Sequence, residues 1–274
     1  MSEEAIQKKP FDDVWYWYLT GENREKIEGQ FDLLLKIEQL LFRFLPGTPR
    51  CTECNVPLAG IGRVVTKPLG LAPSTFSPRL CNACEKALRK FEGGAEVRLS
   101  MLFADVRGST ELAASLHPVE FKKLIQRFYK VTTDVLVRHY AMINRLMGDQ
   151  VIGLFTPRLT GQDHARVAVD AAIDLLQATG HSDPGGPWVP VGVGVHTGKV
   201  YVGFVGSRDS VSEIAVLGND ANLAARLSSQ AKPGEVIISE ATAASAGFEG
   251  EGLEPRSLSL KGYSEPVPVR VKTL

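Results

Sequence analysis

No apolar run in the 274-residue chain reaches membrane-spanning length, and the opening MSEEAIQKKP lacks the apolar core that a secretory signal needs. The expectation is a cytoplasmic protein with no membrane partner. An excess of either charge is missing too, since 31 Lys and Arg balance 31 Asp and Glu. A chain without net charge lacks the broad electrostatic footprint of a nucleic-acid binder, so no nucleic-acid partner is expected. Cysteine is scarce, with four in all, and without an export signal these are not expected to form disulfides. Internal repeats and low-complexity tracts are absent. At 44% hydrophobic and 23% charged the composition is globular, with room for two modest domains or one larger domain plus an extension.

The four cysteines fall in two CxxC pairs, Cys51 and Cys54 in CTEC and Cys81 and Cys84 in CNAC, with residues 55–80 between them. Each pair can set two sulfurs on one side of an ion, so the set predicts a tetrahedral thiolate site for Zn²⁺. An iron–sulfur cluster and redox-active thiols are the other readings open to four sulfurs. No histidine lies near enough in sequence to make a mixed site.

Three segments follow from the patterning: a helical arm over 1–46, a four-cysteine module over 47–94, and an α/β domain over 95–274. The arm reads as two helices broken near Gly21 and Gly29. In the second, Phe31, Leu34, Leu35, Glu38 and Phe42 give a wide apolar face that requires cover from the cysteine module or a second subunit. WYWY at 15–18 reads as aromatic helix packing rather than a membrane anchor, because Asp12 and Asp13 flank it and basic anchors are missing. EKALRKF (85–91) reads as a short helix. Beyond Gly93–Gly94 come a strand (97–106), a helix from Pro118 to His139, and two short strands turning at Gly148–Asp149. A helix from 164 follows, capped by Thr160 with Asp163 three residues on. WVPVGVGVHT and KVYVGFVG read as a hairpin about Thr197–Gly198. Another strand, a helix over 219–230, the strand GEVIIS and a C-terminal hairpin complete a β-α-β-β-α-β plan of ferredoxin-like type.

Chemistry enters with FADVRGST, where Asp105 ends an otherwise apolar strand. Asp149, in MGDQVIGLF, sits at the tip of the strand pair that a ferredoxin-like sheet places beside that first strand. Two carboxylates brought together repel unless they share a proton or a cation. A pair of divalent ions about 4 Å apart is the usual resolution for phosphoryl chemistry. After Asp105 the chain turns into a helix, so the backbone N–H groups of Gly108, Ser109 and Thr110 can cradle a phosphate. In LGNDANLAARL, Asn222 and Arg226 stand four apart on one helix face, as an amide meeting a sugar and a guanidinium meeting a phosphate would require. Lys261, between a strand and Gly262, is placed for a terminal phosphate. His196 reads as structural.

Taken together, LFADVRGSTEL, MGDQVIGLF, VGVGVHTGKVYVGFVG, VLGNDANLAARL and LKGYSEPVPV resemble a class III nucleotidyl cyclase catalytic domain over about residues 97–272, in family order and spacing. The fold class implied is α+β, a ferredoxin-like βαββαβ cyclase domain behind an N-terminal helical, cysteine-rich metal-binding module. The resemblance implies that Asp105, Asp149 and the carbonyl of Val106 bind two Mg²⁺ or Mn²⁺ ions. It further implies that Asn222 orients the ribose, Arg226 stabilises charge on the α-phosphate, and Lys261 holds the outer phosphates. It implies a homodimer in which metal aspartates from one subunit face the Asn/Arg/Lys set of the other. The substrate implied is ATP, cyclised to cAMP, with GTP the alternative.

The chain departs from the family pattern at the two base-reading positions, where Arg145 replaces a lysine and Ala215 an aspartate or threonine. Arg keeps a donor but is bulkier. Ala215 removes an acceptor, which costs about 1–3 kcal/mol of discrimination. Three functions are therefore open: an active cyclase, a nucleotide-binding regulatory module that has lost turnover, and a cysteine finger with the cyclase domain as passenger.

Overall fold

The structure is a computed structural model that describes residues 11–26, 32–74, 76–77, 79–91, 93–206, 212–248 and 252–274. The expected break at Gly29 and the apolar Phe31 lie outside these residues, as do the side chains of Leu34 and Leu35. In chain order the elements are α1 (Asp12–Thr20), α2 (Asp32–Phe42), α3 (Ile61–Thr66), α4 (Asn82–Leu88), β1 (Gly94–Val106), α5 (Ser109–Ser115) and α6 (Pro118–Arg138). Then come β2 (Met142–Met147), β3 (Gln150–Phe155), α7 (Pro157–Thr160), α8 (His164–Ala178), β4 (Val191–Gly206) and β5 (Ser212–Leu217). The chain closes with α9 (Asn219–Gln230), β6 (Glu235–Ser239), α10 (Glu240–Ala246), β7 (Glu254–Leu258) and β8 (Val267–Thr273). Two compact units result, one of Met1–Val97 with Tyr201–Val216, the other of Arg98–Val200 with Leu217–Leu274.

In the first unit α1 buries the aromatic run. Trp15 is fully enclosed, its Nε1 donates to the Phe91 carbonyl at 3.0 Å, and Tyr18 meets it edge-on. Gly21, in the left-handed region at φ 81°, stops the helix. The end of α2 is tied to the cysteine module: Gln39 Nε2 donates to the Glu53 carbonyl at 2.5 Å and Arg50 to the Phe42 carbonyl at 3.0 Å. Even so, Leu40, Leu41 and Phe44 stay exposed in the single chain, so this part of the apolar face is not covered by the module. The short helix of the module runs over Asn82–Leu88 rather than 85–91, because the Cys81 sulfur caps it by accepting the Cys84 N–H.

In the second unit the order β2-β3-β1-β4 is the ferredoxin-like arrangement, extended by β6, β8 and β7; β5, which pairs with β4, belongs almost wholly to the first unit. One face packs on α6 and α8. Leu102, Ala104, Val106, Val193, Val195, Val236 and Ile238 meet Phe128, Leu136, Ala168, Ala172 and Leu175 there. The intervening Ile237 turns to the other face, against Leu223 and Leu227 of α9, as the two-residue period of a strand requires. Burial of each Val, Leu, Ile or Phe side chain among them stabilises the unit by about 1.5–3 kcal/mol.

Two local expectations fail. Thr160 does not cap α8: its hydroxyl donates to the Thr156 carbonyl at 3.0 Å, α7 ends there, and a 3₁₀ turn at Gly161–Asp163 leads into α8. Nor is there a hairpin at Thr197–Gly198, because β4 runs unbroken through both residues. Gly198 is not among the positive-φ glycines, and Thr197 Oγ1 lies 2.6 Å from Ser100 Oγ of β1.

Candidate functional site

β1 delivers Asp105 to the end of the sheet. In the antiparallel register with β3, Asp105 is opposite Gln150, and the Val106 N–H donates to the Asp149 carbonyl at 3.1 Å. Asp149 follows Gly148, whose φ of 63° makes the β2–β3 turn, and the Tyr129 hydroxyl donates to the Gly148 carbonyl at 2.6 Å. Burial and then the charge of Asp149 raise the Tyr129 pKa, so its phenol stays a donor. The two carboxylates thus occupy neighbouring positions, each with a fixed partner. The Ser109 hydroxyl donates to Asp149 Oδ2, and the Arg107 guanidinium pairs with Asp105 Oδ2.

Arg107, which sequence reasoning did not single out, stands against this pair. Its main-chain N–H donates to the Pro190 carbonyl at 2.8 Å and its Nη1 to the Ser229 carbonyl, in the last turn of α9, at 3.0 Å. Burial lowers its pKa, while the Asp149 charge opposes that shift. No period-two signal reaches it, because β1 ends at Val106 and Arg107 lies in the turn that follows. The donor set of two carboxylates and the Val106 carbonyl is all oxygen, which suits hard divalent cations.

α5 opens at Gly108, φ 65°, with no side-chain cap, so its first-turn N–H groups, those of Ser109 and Thr110 among them, receive nothing from the capping residue. On α9, Asn222 is exposed and Arg226 half-buried, and their spacing of four puts them on one face. The Arg226 guanidinium lies 5.6 Å from the Tyr263 ring centre. A Cβ on Gly262 would come 3.0 Å from Arg226 Nη1, so glycine lets the β7–β8 turn approach the arginine. Exposed Lys261 belongs to that turn. The structure therefore assembles two groups: Asp105, Val106, Asp149 and Ser109 in one, Asn222, Arg226 and the Lys261 turn in the other. Arg145 lies in β2 beside a register shift and pairs with Ile152, and its side chain is outside the described residues. Half-buried Ala215 lies in β5.

In the first unit the four cysteines converge, and all four Sγ atoms lie within 4.8 Å of one another. Cys54 and Cys81 are 3.7 Å apart at sulfur. The Cys81 N–H donates to Cys51 Sγ and the Cys84 N–H to Cys81 Sγ, both at 3.4 Å, which is how backbone steadies thiolate ligands. The surrounding sulfurs lower the Cys51 and Cys81 pKa values and raise those of Cys54 and Cys84. A single tetrahedral ion with metal–sulfur bonds of about 2.3 Å sets its sulfurs roughly 3.8 Å apart, so the cysteines fit one such ion.

Residues 95–265 match the family described as the adenylate and guanylate cyclase catalytic domain, and the chain belongs to that family. It therefore carries a nucleotidyl cyclase catalytic domain with the class III fold. An uncharacterized protein of Mycobacterium tuberculosis is 34% identical over 183 residues, 64% of this chain and 32% of its own length. A Mycobacterium bovis protein matches equally. The chain thus spans about a third of the length of the curated relatives it matches. Among solved structures, the guanylyl cyclase Cya2 superposes with a TM-score of 0.58 at 28% identity, over 66% of this chain and 95% of that one. The adenylyl cyclase CyaB from P. aeruginosa gives 0.58 at 24% identity, over 66% and 96%. Among the described residues no helix is long and apolar enough to cross a membrane.

Proposed function

We propose that this chain cyclises ATP to cAMP and pyrophosphate at two equivalent sites formed by a homodimer. The observation that carries the reading is the β1–β3 register, which sets Asp105 beside the turn holding Asp149. Asp105, Asp149 and the Val106 carbonyl would hold two Mg²⁺ or Mn²⁺ ions. Bound there, such ions lower the pKa of the ribose 3′-hydroxyl and neutralise the triphosphate. The chain's own groups supply the rest. The N–H groups of Gly108, Ser109 and Thr110 receive phosphate oxygens. Asn222 fixes the ribose so that its hydroxyl lies in line with the α-phosphorus, Arg226 meets the charge that grows on the α-phosphate, and Lys261 holds the departing pyrophosphate. Arg145 and Ala215 stand at the two positions that the family resemblance assigns to reading the base.

Turnover with Mn²⁺ and either ATP or GTP, products resolved by mass spectrometry, tests the reading. Asp105→Ala should lower kcat at least about a hundredfold; unchanged product from that variant would refute the metal assignment. Mixing Asp105→Ala with Arg226→Ala chains tests the shared site. Random pairing makes half the dimers mixed, each with one intact site, so about a quarter of wild-type activity should return. No recovery would refute the homodimer. Ala215, which offers the base no acceptor, favours a second reading in which GTP is also used, and comparable cGMP from the same assay would select it.

At Cys51, Cys54, Cys81 and Cys84 the proposed ion is a single Zn²⁺. The 4.8 Å limit on sulfur separation favours it, because a cluster interposes sulfide between its irons and spreads its cysteines further. Metal analysis should find one zinc per colourless chain. A brown protein absorbing near ~400 nm would overturn the assignment.

A further inference from the structure

α9 carries Asn222 and Arg226, yet its own N-cap position, Gly218 at φ 134°, provides no side-chain cap. The first turn is fastened elsewhere. Asp220 reaches back to β4, where its Oδ2 accepts the Lys199 N–H at 2.6 Å and its Oδ1 lies 3.3 Å from His196 Nε2. His196 is 4% exposed, and its Nδ1 is 2.8 Å from the hydroxyl of Ser239, the residue that caps α10. The imidazole is thus held through Nδ1, while its buried Nε2, which makes no well-formed hydrogen bond, faces the Asp220 carboxylate.

Gly198 completes the seat. A Cβ there would fall 2.1 Å from Asp220 Oδ2 and 2.3 Å from its Cγ. Nothing in that residue's backbone demands glycine, so the requirement is space for the Asp220 side chain. An aspartate in a helix's first turn ordinarily serves the helix's own N–H groups and dipole. Here it spans to a neighbouring strand, and two residues later the same turn presents Asn222.

We infer that Asp220, seated over Gly198 and backed by His196, is a positioning residue that fixes the rotation of α9 and hence the aim of Asn222 and Arg226. The inference rests on the cyclase reading of α9. Neither Asp220 nor His196 needs to touch substrate. A shift of about 1 Å in the first turn is enough to misalign both substrate-facing groups, and such shifts cost on the order of a hundredfold in rate.

The test uses the full chain with Asp220→Asn, Asp220→Ala, Gly198→Ala and the Asp220→Ala/Gly198→Ala double variant. It reads kcat and KM for the Mn²⁺–nucleotide complex together with hydrogen exchange of the α9 amides. Asp220→Ala and Gly198→Ala should each lower kcat about tenfold to a hundredfold, with KM held within about twofold and faster exchange confined to the first turn of α9. Asp220→Asn keeps the shape and an acceptor for the Lys199 N–H, and should retain most of the rate. The double variant should be no worse than Asp220→Ala, because both changes break one contact. Wild-type kcat and exchange in Asp220→Ala, or losses that multiply in the double variant, would overturn the inference. If Gly198→Ala does not fold, the two Asp220 variants decide. If the wild type makes no cyclic nucleotide, the cyclase reading fails, and hydrogen exchange alone decides whether Asp220 anchors the helix.

Discussion

At Asp105 and Asp149 two anionic side chains are stationed on adjacent strands, and the nearest permanent cation is Arg107. A metal ion approaching Asp105 must compete with that guanidinium. Arg107→Ala should therefore tighten Mn²⁺ binding in the absence of nucleotide by about tenfold, read as loss of free-ion signal in electron paramagnetic resonance. Weaker binding in the variant would show that Arg107 supports the ion rather than competing with it. Buried histidines make a second residue-scale prediction. Burial lowers the pKa of His164, His181 and His196 below the usual 6.5. His181 Nε2 accepts the Val191 N–H at 3.2 Å, a bond that only the neutral ring can make. The unfolded chain then binds more protons than the folded one once the pH drops below about 6.5. Stability is complete above that value and is lost as the pH falls through the folded values. Calorimetry should show Tm level from about pH 8 to 7 and declining below about 6.5; a Tm still level at about pH 5 would contradict this.

Among the elements, those with a strong pattern were legible: α6 and α8 from their helical apolar faces, β1 from its apolar run, and the β2–β3 pair from two short strands about Gly148. Asp105 and Asp149 could be read as neighbours because strand register carries them together. The reading failed where one residue type serves two purposes. Thr197–Gly198 has the chemistry of a turn, but this glycine makes room for Asp220 and this threonine bonds across to Ser100. Thr160 has the chemistry of a cap but spends its hydroxyl one turn back. α10, EATAASA, has too little large apolar surface to announce itself. Arg107 and Asp220 escaped because both act through contacts made by folding, with no local motif to flag them. For α1, the buried Trp15 sets a measurable stake: Trp15→Ala should cost the first unit about 3–5 kcal/mol, seen as a lower urea midpoint.

For the chain as a whole, the family match lies in residues 95–265, and the cysteine centre lies ahead of it. The sulfur that caps α4 is also a candidate ligand, so metal occupancy and local folding are one equilibrium. Stripping the ion with a strong chelator should abolish amide protection in α4, and protection retained after complete removal would count against a structural metal. The exposed Leu40, Leu41 and Phe44 were not assignable from sequence, because an apolar face names no partner. Arg107 has a consequence for genetics. It is spelled within the FADVRGST motif, yet its side chain also steadies the end of α9 through the Ser229 carbonyl. In mixed oligomers, an Arg107→Ala allele should complement an Asp105 null, to which it lends sound acidic ligands, and complement an Asn222 null poorly. A lesion in the first motif would then sort with lesions more than a hundred residues downstream.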